Sequence, residues 1–228
     1  MIPTIIYLLL RRYRRSNPEK AERVTIILQK TTKLLLFLIL LLLISHFALP
    51  QSTKLEYSIT RKGNNIGTLS FSRHLSGNKT IFKIESNVKA RLIFVITVKA
   101  LEEAIYENGI MTWSFLYRKM NGTEKINKKT TLSGNNYVIT KGHHSETLNT
   151  YPIRYNMICL YLNEPTDIPK VYSDNFQQFL DIETLGDHHY KISFPDGNFN
   201  EYYYTNGLCS KVEVNHRFYS STIELKTK

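Results

Sequence analysis

The chain has 228 residues, 30 Lys+Arg against 19 Asp+Glu, a formal net charge of +11, and 42% hydrophobic residues. Residues 1–50 hold eight Lys+Arg against two Asp+Glu, a net of +6, which leaves 22 against 17, a net of +5, for residues 51–228. More than half of the excess charge therefore precedes an apolar run, where it holds the flanking side in the cytoplasm; a nucleic-acid partner is not needed to explain it.

The leader, residues 1–33, opens with the short apolar piece IPTIIYLLL, cut off by RRYRR. The apolar segment 34–49 follows. Its uninterrupted core, Leu34 to Ile44, falls short of the ~20 residues that a bilayer core requires and fits the ~7–15 of a signal-peptide core better. Ala48 suits the last residue before a cut, but the bulky His46 stands two positions earlier. Both readings stay open: a cleaved export signal, or an anchor that keeps the chain in the membrane through residues 34–49. The only cysteines are Cys159 and Cys209, so no lipid-modified cysteine stands behind the segment. In an oxidising compartment the two could form one disulfide, or each could be a small buried side chain.

From Lys54 to Lys228 short alternating runs are punctuated by turn dipeptides, the pattern of antiparallel hairpins. KLEYSITR places Leu55, Tyr57 and Ile59 on one side, KGNN turns the chain, and IGTLSFSR returns with Leu69 and Phe71. After SGNK, TIFKIESNV puts Phe82, Ile84, Ser86 and Val88 on a common face. RLIFVITVKAL, Arg91–Leu101, is apolar on both faces and reads as one central strand. ENG, MNG and SGNN mark three further turns. In TYPIRYNMICLYLNEPTDIP, Pro152, Pro165 and Pro169 interrupt any sheet, and a short helix or broken turn crossing an end or mouth is expected. FQQFLDIETLG, HHYKISFPDGN, FNEYYYTNG and LCSKVEVNHRFYSSTIELK resume the meander. The expected fold is all-β: about ten strands in a strongly curved antiparallel sheet or partly open barrel over residues 54–228, since a flat sheet of that width would expose its edges. An N-terminal signal or anchor helix precedes it.

No local signature of an enzyme is present: no G-x-S-x-G, no phosphate-cradling glycine loop, no H-E-x-x-H, no C-x-x-C. GNNIG joins two strands and opens no helix. The paired histidines His143–His144 and His188–His189 are weak metal candidates, since one of each pair could reach inward and, with Glu146 or Asp187, complete a divalent-metal set for a metal-assisted hydrolase. Adjacent Glu102 and Glu103 point to opposite faces of a strand and cannot share one acid–base site. EYYYTNG is explained by cross-strand packing. Trp113, Phe115, Tyr117, Phe194 and Phe199 are the candidates to line a concave face that holds an apolar ligand. Asn78 and Asn121 head glycosylation sequons.

At LEYSITRKGNNIGTL, AIYENGIMTWS and NEYYYTNGLCSKVEV the chain resembles a family of uncharacterised exported bacterial proteins, classed as a domain of unknown function, whose members open with an x-G-x-x-I-G hairpin. The resemblance runs from about Leu55 to Leu225 and implies an extracytoplasmic β-rich domain; it carries over no catalytic residue, and the basic leader ahead of Lys33 departs from it. The expectation is a non-enzymatic protein of the cell envelope, periplasmic or held at the outer face of the inner membrane, without cofactor. It binds an apolar or amphipathic ligand or an envelope partner. The alternative is a structural or interaction protein with a filled core.

Overall fold

The computed structural model describes residues 23, 26–27, 29–37, 52–91, 94–150 and 152–226. The chain forms two compact units, Met1–Leu49 and Pro50–Lys228. In the first, the described residues are helical and exposed, Leu34–Phe37 among them. Residues 38–49 of the apolar segment lie outside the described residues, and no described helix is long and apolar enough to cross a membrane.

The second unit is all-β, with fourteen antiparallel strands among the described residues: β1 (Ser52–Arg61), β2 (Asn64–Ser76), β3 (Lys79–Arg91), β4 (Val95–Glu107), β5 (Ile110–Met120), β6 (Thr123–Ser133), β7 (Asn136–Lys141), β8 (His144–Leu148), β9 (Lys170–Ser173), β10 (Gln178–Gly186), β11 (His189–Ser193), β12 (Phe199–Thr205), β13 (Leu208–His216) and β14 (Tyr219–Leu225). Four of the hairpins, at Lys62–Gly63, Asn108–Gly109, Asn121–Gly122 and Asn206–Gly207, have positive φ at both central residues, the two-residue turn whose twist matches that of its strands. The run Arg91–Leu101 is not one strand: β3 ends at Arg91 and β4 begins at Val95, so its apolar residues straddle a hairpin.

All strands join one open sheet in the order β8-β7-β6-β5-β4-β3-β2-β1-β14-β13-β12-β11-β10-β9. The first strand pairs with the last, Tyr57 opposite Leu225 and Ile59 opposite Ile223. The two edges of the sheet are therefore β8 and β9, consecutive in the chain. The segment that links them, residues 149–169, does not cross outside an end as a proline-bearing loop would. It runs through the interior, where Ile153, Ile158, Cys159, Leu160 and Leu162 are buried against Tyr57, Phe71 and Met111. Among its described residues the one helical turn is the 3-10 turn Met157–Tyr161.

Irregular backbone inside a protein must find hydrogen-bond partners, and here tyrosines supply many of them: an apolar ring for the core with a hydroxyl at its tip. Tyr204 donates to the Leu160 carbonyl (2.9 Å) and Tyr106 to Asn156 Oδ1 (2.8 Å). The Tyr57 hydroxyl lies 3.0 Å from the Cys209 carbonyl and 3.3 Å from that of Tyr161. Tyr137 donates to the Met111 carbonyl (2.8 Å) and accepts the Ile153 N–H (3.0 Å). Backbone bonds complete the seat: the Met111 N–H donates to the Ile153 carbonyl and the Tyr172 N–H to that of Tyr155. Among the described residues every buried core residue lies between Tyr57 and Ile223, so residues 50–228 carry a core of their own.

Candidate functional site

In a meander successive hairpins alternate between the two ends of the sheet. The hairpins β1–β2, β3–β4, β5–β6 and β13–β14 fall at one end, and the crossing segment does not fill the interior there. Two cavities, of about 290 and 570 Å³, lie side by side and share Arg118, Met120, Val214 and Tyr219. The smaller is apolar, walled by Ile66, Leu69, Val88, Ile96, Val98 and Ile223. The larger has a mixed wall, polar at Glu102, Asp174, Asn198, Asn200 and His216 and apolar at Leu116, Met157 and Phe194.

Strand register explains how the polar wall is assembled. Ala100 stands opposite Arg118 and Glu102 opposite Leu116, so Glu102 and Arg118 project side by side from one face of neighbouring strands. Glu102 shares the inward phase of the buried Ala104 and Tyr106. Glu103 takes the outer face, within 3.9 Å of Lys83, as alternation requires. Asp174, just past β9, accepts from Ser114 Oγ and from Asn156 Nδ2 (2.9 Å), and Asn156 in turn accepts from Tyr106. This network ties the crossing segment to β4 and β5. Among the described residues, the side chains of Glu102 and Arg118 make no hydrogen bond or ion pair; both line the cavity.

Burial pushes the Glu102 carboxyl above its ordinary value, a rise opposed by Arg118 and reinforced by Asp174. Burial likewise raises Asp174, although Ser114 and Asn156 hold it down. A carboxyl raised in the folded state binds more protons there than in the unfolded chain. The stability it allows is complete below the unfolded pKa, near 4.3 for Glu, and declines as pH climbs through the folded value. Glu102→Gln is therefore expected to melt higher than the wild type at pH 8, with a difference that vanishes below about pH 4. A difference constant across pH in thermal melts would rule this out.

Of the five aromatic residues expected at the concave face, Phe194 lines the larger cavity and stacks on Phe176, centroids 5.5 Å apart. Trp113, Phe115 and Tyr117 lie on the opposite face of β5 from Ser114, Leu116 and Arg118, and form an outward ladder with successive centroids 6.1 Å apart. A register shift between Ile105 and Tyr106 sets that phase. Phe199 faces outward too, under the Lys191 amine at 5.1 Å, since its neighbour Asn200 takes the inward position.

The histidine pairs fall at opposite ends of the sheet: His143 and His144 at the β7–β8 turn, His188 and His189 at the β10–β11 turn. His188 pairs with Glu164 (2.9 Å), and His189 with Glu201 (2.9 Å) while stacking on Tyr203. Glu146 pairs with Lys141 at the β7–β8 hairpin, and Asp187 sits in the β10–β11 turn. The register thus gives the two pairs no common site. Among the described residues no three His, Cys, Asp or Glu side chains come together to hold a metal ion.

Cys159 and Cys209 are buried free thiols, not a disulfide. The Cys159 thiol is directed at Tyr106 and Asn156, and that of Cys209 at the Lys211 carbonyl. Burial pushes them up to about 11 and about 12, so both stay protonated near neutral pH.

A family model described as a domain of unknown function (DUF6134) matches residues 57–226. No curated protein matches the chain. Among solved structures, the crystal structure of a beta-barrel-like protein of domain of unknown function DUF1849 from Brucella abortus matches with a TM-score of 0.50 at 10% identity, over 78% of this chain and 96% of that one. At that identity the likeness is one of fold.

Proposed function

We propose, for a chain that belongs to the DUF6134 family of unknown function, that it is a non-enzymatic, extracytoplasmic binding protein for a single-chain amphiphile. The observation that carries this reading is the pair of adjoining cavities, one apolar and one of mixed polarity, at the end of the sheet that the crossing segment leaves unfilled. At roughly 30 Å³ per methylene, close to the volume share of a liquid water, the apolar cavity takes about ten methylenes. At ~0.8 kcal/mol each, their transfer from water supplies about 8 kcal/mol, from which the losses on association are subtracted and to which contacts of the polar end add. The polar end of the ligand enters the larger cavity, where Arg118 offers donors and Glu102 an acceptor, neither side chain hydrogen-bonded to another described residue. Charged side chains inside a fold cost stability when no hydrogen bond holds them, so the retention of these two at a cavity wall favours a role in binding.

Export is supported by the basic residues ahead of the segment 34–49, by which the β unit reaches the outer face of the membrane, either anchored or released. Native mass spectrometry of the protein purified gently from the exported compartment tests both parts. An intact mass or one lacking the leader reads the fate of that segment, and a bound species with the mass of one amphiphile is expected. A bare chain under repeated gentle preparation would count against the ligand.

A further inference from the structure

The two ends of the sheet differ in a way that the cavities alone do not require. At the end where the cavities open, the hairpin tips carry large apolar side chains in water: Phe94 is 69% and Phe218 76% exposed, and Val95, Met120 and Tyr219 are exposed beside them. Of the seven exposed large apolar residues described in the β unit, only Ile81 and Leu185 lie elsewhere. Exposed apolar groups gathered at one place mark a contact surface.

The same hairpins are basic. Lys62, Lys89, Arg91, Lys119, Lys125 and Arg217 are all exposed, against Glu124 in these hairpins and Asp196 in the adjoining β11–β12 loop. None of the six forms an ion pair among the described residues, whereas at the opposite end Lys79 is paired with Glu107 and His188 with Glu164. The opposite turns are built from Asn and Gly: Gly77–Asn78, Asn108–Gly109, Gly134–Asn135 and Asn206–Gly207. The opposite end carries exposed charge of both signs, Lys54, Lys226 and Asp187 beside those pairs, whereas these four hairpins combine a cluster of cations without ion pairs, Arg217 lying over Phe218, with apolar tips.

We infer that this end is a membrane-docking surface: Phe94, Val95, Phe218 and Tyr219 enter the interface of an anionic bilayer while the surrounding Lys and Arg side chains meet its headgroups. Apolar side chains at hairpin tips reach the acyl boundary, and juxtaposed cations add attraction to an anionic surface that fades with salt. A second copy of the chain is a poor occupant, since two such basic rims repel each other. The docked orientation faces the cavity mouth toward the lipid, so the inference deepens the amphiphile reading by naming the surface at which exchange takes place; the docking itself needs only the rim.

The test is flotation of residues 50–228, which hold the core found among the described residues and lack the apolar leader, with vesicles of phosphatidylcholine alone or mixed with phosphatidylglycerol. Binding is expected to the mixed vesicles, weakening as salt is added, with little to phosphatidylcholine alone. Phe94→Ser with Phe218→Ser, and separately Lys62→Glu with Arg217→Glu, are each expected to reduce partitioning at least tenfold. Lys79→Glu and Leu185→Ser, at the other end, leave it unchanged. Absence of flotation with mixed vesicles, or an equal loss from the variants of the opposite end, overturns the proposal. Because the rim variants lie on hairpin tips outside the core, unchanged thermal melts will show that they remain folded. Flotation by a protein that takes up no amphiphile would leave docking in place and remove the ligand reading, so the two fail separately.

Discussion

Replacing Gly67 with alanine is expected to cost about 3 kcal/mol of folding stability, a large part of the roughly 5–15 kcal/mol typical of a domain. Gly67 sits in β2 beside the register shift of the β1–β2 pair, opposite Val88 of β3. A Cβ there would lie 2.2 Å from the Asn87 carbonyl oxygen and 2.9 Å from Val88 Cα. Both are backbone atoms of the paired strand, so neither can yield as a flexible side chain would. Relief requires the β2–β3 ladder to part, at the wall of the apolar cavity, next to Ile66 and Val88. The glycine of the opening hairpin is thus fixed by the close approach of two strands. Urea denaturation checks this, and a midpoint close to that of the wild type would refute it.

A second large effect is expected from Tyr137→Phe, which removes one oxygen and changes almost no volume. The Tyr137 ring is fully buried, and its hydroxyl joins the Met111 carbonyl to the Ile153 N–H. Without it, the Ile153 N–H is left buried without this acceptor, and an unsatisfied buried group costs about 1–3 kcal/mol. The Met111 carbonyl loses a donor as well, so a total near 3 kcal/mol is expected. The loss should be local in character. Hydrogen exchange at Ile153 should accelerate more than exchange in β3 or β13, because the crossing segment loses a point of attachment while the ladders stay intact. Equal acceleration everywhere, or no loss of stability, would show that the hydroxyl does not hold the segment.

The meander was legible because its turn chemistry is local: Asn108–Gly109, Asn121–Gly122 and Asn206–Gly207 announce hairpins, and alternation in β1 to β3 announces the buried face. Three features were not legible, each for a physical reason. The β3–β4 turn has no Gly, Asn or Pro between Arg91 and Val95, so two strands read as one. The pairing of β1 with β14 is long-range, and it alone decides that the edges fall at β8 and β9 and that residues 149–169 must join them. Their prolines suggested a surface crossing; the tyrosines that satisfy their backbone come from strands far away in sequence.

The site shows the same division. Alternation correctly sent Glu102 and Glu103 to opposite faces, and Glu102 could have been marked because its phase is that of Ala104 and Tyr106. Its neighbour Arg118 needs the β4–β5 register, and Asp174 needs the crossing segment in place. Trp113, Phe115 and Tyr117 stand out by size, but Ser114 and Leu116 between them, and Arg118 after them, face the interior.

The central claim, that the adjoining cavities hold an amphiphile, is tested most directly by titrating residues 50–228 with a fluorescent long-chain fatty acid, in wild type and in Ala90→Trp. Ala90 lines the apolar cavity, and an indole there occupies space that an alkyl chain would need. The account predicts saturable one-to-one binding, weakened at least tenfold by Ala90→Trp in a protein that still melts cooperatively. Unsaturable binding by wild type, or equal affinity in the filled variant, would contradict it.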